Sequence, residues 1–124
     1  MEPSIPKVVV WYERYCQAAI ALLLLGSLFG LYAVFAREEL AVTLGVEMAV
    51  MGVFGLLWSL TLSFLAFVHF AALRSPRAPW AWKIHAILIG IGMTTLVLWP
   101  VALPMMWYWM KADTKRFFGV EAEQ

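Results

Sequence analysis

Two imidazoles, one carboxylate in an apolar run and four hydroxyls are the side chains of this 124-residue chain whose type and spacing could do chemistry. His69 and His85 flank the turn Arg74-Ser75-Pro76-Arg77-Ala78-Pro79 almost symmetrically, so an antiparallel pair of helices would bring them to similar depth. Facing histidines of this kind hold haem in b-type cytochromes, and Arg74, Arg77 and Lys83 could receive its propionates. Gly92 lies two turns beyond His85 on the same face, where a flat macrocycle would need room. His69 and His85 are therefore the candidate cofactor-binding residues, for haem or a chlorophyll-type pigment. The competing reading is that each bonds a headgroup or a carbonyl and no cofactor is bound. Two histidines with no carboxylate nearby fall short of the three protein ligands usual at catalytic metal sites, so no metal is expected. Ser59, Ser63, Thr94 and Thr95 have no base at matching depth, and hydroxyls in apolar helices usually bond their own preceding carbonyls. No catalytic residue and no enzyme activity are expected. Cys16, the single cysteine, allows no internal disulfide; beside Arg14 it is a lipidation candidate or an inert thiol.

The surroundings of these residues are a membrane protein's. The chain is 64% hydrophobic and 14% charged, against about half and a quarter in soluble domains. The formal net charge of +1 supplies no basic surface for nucleic acid. The 7 Trp, 8 Phe and 4 Tyr suit the aromatic belts of the two membrane interfaces. With little chain left outside apolar runs, any activity is intramembrane, interfacial or supplied by a partner.

Those runs set the expected architecture: an all-α integral membrane protein, a single domain over residues 1–124, with three long transmembrane helices at about 12–36, 40–73 and 81–110. The first run is too long for a signal-peptide core and has no small-residue cleavage site before Arg37, so it reads as an uncleaved span. Pro100 and Pro104 are expected to kink the third helix. The tail from Lys111 is expected to lie on the membrane as a short amphipathic turn anchored by Phe117 and Phe118. The alternative is a re-entrant C-terminal hairpin reversing at the prolines. Topology separates the two forms. Three spans put Lys7, Arg14, Arg74, Arg77 and Lys83 on one side and Arg37, Lys111, Lys115 and Arg116 on the other, a nearly flat distribution; the hairpin leaves Arg37 alone opposite all the rest. Split at the prolines, however, the third run gives helices of only about 24 and 15 Å, short of a core of about 30 Å. Three spans with a cytoplasmic amino terminus are therefore expected.

Drawn as one straight helix, the second run has two faces. Gly45, Ala49, Gly52, Ser59, Ser63 and Ala66 form a small-residue stripe at near-heptad spacing, suited to close helix packing. Gly26 and Gly30 on the first helix, and Ala86 and Gly90 on the third, offer matching surfaces. The other face carries Glu47, Met51, Phe54, Trp58, Leu65 and His69. A carboxylate facing lipid costs a few kcal/mol unless it is protonated or snorkels to the interface. Glu47, Phe54 and Trp58 are thus the candidate partner-binding residues. The expected function is an accessory, assembly or structural subunit of a larger membrane complex, in a bacterial inner membrane, whose partners are the lipid bilayer and other transmembrane subunits or further copies of itself. The alternatives are an electron-transfer subunit using His69 and His85 and a small oligomeric transporter or channel using Glu47.

Overall fold

In the computed structural model, residues 4–94 and 98–120 are described; they form six helices and no strand. These are α1 (Lys7–Phe35), α2 (Arg37–Leu44), α3 (Met48–Leu73), α4 (Pro79–Met93), α5 (Trp99–Trp109) and α6 (Ala112–Phe117). Two helices, α1 and α3, are long and apolar enough to cross a membrane. At about 1.5 Å per residue, their 29 and 26 residues reach about 43 and 39 Å, more than a hydrocarbon core. The chain divides into two compact units: residues 17–70, and residues up to Cys16 together with those from Ala71 onward.

In the first unit α1 and α3 pack antiparallel through small residues. A Cβ built on Gly30 would lie 2.8 Å from the Gly55 carbonyl oxygen, and one on Gly55 would lie 2.6 Å from that of Gly30. Backbone touches backbone there, which only glycine permits. Ser27 brings its hydroxyl to within 2.9 Å of the Ser59 hydroxyl and 2.7 Å of the Ser63 hydroxyl, so the polar atoms of this contact satisfy one another. Close approach and mutual hydrogen bonding are what hold helices together where lipid removes the hydrophobic drive.

The second run is not one helix. Gly45 has φ +68, its N–H donates to the Ala41 carbonyl, and the Val46 N–H reaches the same carbonyl at 3.1 Å. This left-handed closure ends α2. Helix α3 starts afresh at Met48, with the Glu47 carbonyl accepting from the Met51 N–H. A straight helical wheel from Leu40 cannot show this, because one left-handed glycine resets the phase of everything after it.

In the second unit the expected third span is replaced by a helical hairpin, so three spans are not supported. Helices α4 and α5 run antiparallel. The Trp82 indole N–H donates to the Trp109 carbonyl (3.2 Å) and the Trp109 indole N–H to the Trp82 carbonyl (3.3 Å). In one continuous helix these residues would be about 40 Å apart. The prolines are the physical reason. Pro100 lies in the first turn of α5, where the missing N–H would have no intrahelical acceptor anyway, so it begins a helix instead of bending one. Only Pro104 is internal. The tail also differs from expectation. Phe118 is 5% exposed and stacks among the unit's core aromatics, while Phe117 is half-buried beneath the Arg77 guanidinium, 4.2 Å from its ring centre. Burial against Trp109 removes more apolar surface from water than a shallow surface turn would.

Candidate functional site

The core of the second unit is organised around His85. Tyr12 on α1, His85 on α4, Trp109 on α5 and Phe118 after α6 meet with ring centres 4.7 to 5.6 Å apart. All four are buried. The imidazole bonds on both sides: Nδ1 lies 2.8 Å from the Tyr12 hydroxyl and Nε2 lies 3.1 Å from the Ser75 hydroxyl. Ser75 in turn donates to the Ala72 carbonyl at 2.6 Å, a carbonyl of the last turn of α3. Burial pushes the His85 pKa down to about 4, so the ring is neutral at physiological pH. With a neutral ring, one assignment gives each contact one proton. Tyr12 O–H donates to Nδ1, Nε2–H donates to Ser75, and Ser75 O–H donates to Ala72.

That assignment decides what the pair can do. A serine nucleophile needs the imidazole to take its proton, whereas here the serine hydrogen is committed to a carbonyl and the imidazole donates to the serine. The constellation resembles a nucleophile–base pair in composition and works as a polar strut joining three segments of the unit. An axial haem ligand needs a ring nitrogen free for iron, and both nitrogens of His85 are engaged. The room beside Gly92, expected for a macrocycle, is filled: a Cβ there would fall inside contact distance of the Tyr15 hydroxyl. A cavity of about 130 Å³ does border His85, with Glu13 and Arg77 in its wall. His69 belongs to the other unit, and its Nδ1 lies 2.7 Å from the Leu65 carbonyl one turn back.

The strut carries a pH dependence with a definite sign. The folded pKa lies below the ordinary histidine value, so the contribution of the neutral ring is complete above about pH 6.5 and is lost as pH falls toward 4. Thermal unfolding in detergent is expected to weaken by about 2 kcal/mol between pH 7 and 4.5. His85→Gln, with the Tyr12 and Ser75 contacts no longer titratable, should flatten that part of the profile. An unchanged slope in the variant would assign the loss to carboxylates instead.

The other candidate residues are placed as follows. Glu47 is exposed and outside any helix, between α2 and α3, so its carboxylate is at a helix end and not within the apolar length of α3. Phe54 and Trp58 stack at 5.8 Å and are 52% and 43% exposed, with the Trp58 indole donating to the Gly26 carbonyl. Met51 and His69, expected on the same open face, are buried. Gly26, Gly30, Ser59 and Ser63 lie in the α1–α3 contact, and Gly52 approaches the Arg37 side chain. Gly45 and Ala49 are exposed and outside it. Thr94 bonds the Ile91 carbonyl, and Thr95 falls outside the described residues.

Ser27, Gly55 and Ser75 were not legible as partners. Ser27 adjoins the glycine pair and Gly55 lies three residues after Gly52, but their contacts depend on the rotation of two separate helices. Ser75 reads as an ordinary turn residue until His85 is seen ten positions on. Among the described residues no group of three or more His, Cys, Asp or Glu could hold a metal ion. The sequence matches no protein family, no curated protein is similar to it, and no solved structure matches its fold.

Proposed function

We propose that this chain is a small integral membrane protein that acts as an accessory or assembly subunit of a larger membrane complex. Helices α1 and α3 cross the bilayer, and the α4–α5 hairpin enters it without crossing. The observation that carries the subunit reading is the stacked Phe54–Trp58 pair on α3. Gly55, Ser59 and Ser63 of that helix are used within the chain by α1, while Phe54 and much of Trp58 remain exposed. Aromatic residues that keep large exposed rings are frequent anchors of protein contacts.

The hairpin reading rests on dimensions and polarity. Helices α4 and α5 have 15 and 11 residues, about 22 and 16 Å, too short to span. Lys83 and Lys111 mark one end of the pair, and Ile91, Trp99 and Val101 mark the other. At the apolar end, the Trp99 indole donates to the Met93 carbonyl and the Thr94 hydroxyl to the Ile91 carbonyl. Carbonyls capped in this way can enter a hydrocarbon region that offers them no water. With the hairpin, eight of the nine Lys and Arg fall on one side and Arg37 alone on the other, which supports a cytoplasmic position for the eight and an inner-membrane location.

Mild-detergent capture from native membranes tests the subunit role. A photo-crosslinking residue at Phe54 should yield a discrete adduct with a second membrane chain or a second copy, and Trp58→Ala should reduce co-purification about tenfold or more. A monomer that retains no other chain and gives no adduct would sink the proposal.

A further inference from the structure

We propose that the cavity of about 550 Å³ in the second unit, bordered by the start of α1 and by the α5–α6 segment, binds the phosphate of an anionic lipid headgroup. This rests on the reading of the chain as membrane-embedded, and it is independent of any partner protein. Three cations from three separate places line the cavity: Lys7 at the first residue of α1, Lys111 between α5 and α6, and Arg116 on α6. The lining also holds one carboxylate, Asp113, which sits 3.4 Å from Arg116 and neutralises part of its charge. Lys7 and Lys111 have no carboxylate within ion-pair distance among the described residues; the Lys111 ammonium rests 4.2 Å from the centre of the Tyr108 ring instead. Among the described residues the lining therefore keeps a net charge of about +2, and two of its cations have no carboxylate partner.

The choice of ligand follows from what surrounds those charges. The volume is within the range of small-molecule sites, about 300 to 1,000 Å³. Tyr108, in the lining, is 42% exposed and meets Trp11, itself 53% exposed, edge-on at 6.3 Å, so the Lys111 ammonium stands next to open aromatic surface. Cations beside exposed Trp and Tyr match a phosphate joined to an apolar chain at the level of the headgroups. A free phosphate shares the charged half of that recognition and lacks the apolar half.

Purified full-length protein in a neutral detergent provides the test. Thermal unfolding and native mass spectrometry are compared with added phosphatidylglycerol, phosphatidylcholine, or inorganic phosphate at matched ionic strength. Phosphatidylglycerol is expected to raise the unfolding temperature and to remain bound at one lipid per chain. The double variant Lys7→Gln/Lys111→Gln, both at exposed positions, should weaken this binding about 30-fold. Asp113→Asn should tighten it about fivefold by freeing Arg116. Lys83→Gln removes a cation of the same unit that does not line the cavity and should change nothing. A shift with inorganic phosphate equal to that with phosphatidylglycerol would overturn the lipid assignment, as would equal effects of the two lipids or an unaffected double variant. Resistance of the chain to carbonate extraction, measured separately, distinguishes a failure of this site from a failure of the membrane reading.

Discussion

Replacing Gly55 by alanine is expected to destabilise the α1–α3 contact by about 2–3 kcal/mol. Helix propensity alone predicts the opposite sign, since alanine is better than glycine inside a helix by about 1 kcal/mol. The sign of the effect therefore reports which term governs. The added methyl group would meet the Gly30 carbonyl oxygen at 2.6 Å, and the Val34 and Ala33 side chains at 3.0 and 3.1 Å. The first of these is backbone, which cannot rotate aside, so the helices must separate and give up the Ser27–Ser59–Ser63 bonds as well. Gly30→Ala should behave alike, facing the Gly55 carbonyl oxygen at 2.8 Å and the Ser59 backbone nitrogen at 2.9 Å. Gly26→Ala supplies the internal comparison. Its methyl meets the end of the Leu62 side chain, which can change rotamer, so its cost should stay below about 1 kcal/mol. Thermal unfolding of the three variants in one detergent checks the order. An equal or raised midpoint in Gly55→Ala would mean that this contact does not set the stability of the unit.

Trp109→Ala is expected to cost about 4 kcal/mol. The side chain is 0% exposed, packs on the Tyr12, His85 and Phe118 rings, and exchanges indole–carbonyl bonds with Trp82. Its removal leaves a large void where α1, α4 and α5 meet and releases the chain beyond α5. Trp109→Phe separates ring from donor. It keeps most of the packing and leaves the Trp82 carbonyl without its indole donor, for an expected loss of about 1 kcal/mol. Unfolding midpoints together with protease cleavage after Lys111, Lys115 or Arg116 provide the readout. Faster cleavage is expected in Trp109→Ala and near-normal cleavage in Trp109→Phe. Unchanged stability and cleavage in the alanine variant would mean that the aromatic cluster does not hold the C-terminal segment.

The two variants fall on elements of unequal legibility. The apolar lengths of α1 and α3 could be read directly, because a run of that composition has few alternatives to a long helix. Gly26, Gly30, Ser59 and Ser63 also stood out, since small residues at helical spacing favour close packing wherever a second helix arrives. The single helix from Leu40 to Leu73 did not survive, because Gly45 adopts φ +68, and nothing in the flanking sequence distinguishes a glycine that continues a helix from one that ends it. The face assigned to Glu47 was lost with it.

By length alone the reversal between α4 and α5 is disfavoured, since helices of 15 and 11 residues are too short to span. Two short antiparallel helices instead stabilise their turn through one another, by the paired Trp82–Trp109 bonds and the capped carbonyls at the other end. His85 shows the same division. Its position near the interface was evident, and a facing histidine was the natural partner to seek. The partners it has are Tyr12 and Ser75, 73 and 10 residues away in sequence. By itself the sequence determined where the chain is apolar, where its cations gather and which residues are small enough for close contact, because these are properties of composition and spacing. Tertiary structure alone decided which apolar segments reverse, which glycines touch and where the His85 protons go, because each depends on the rotation and approach of segments far apart in the chain.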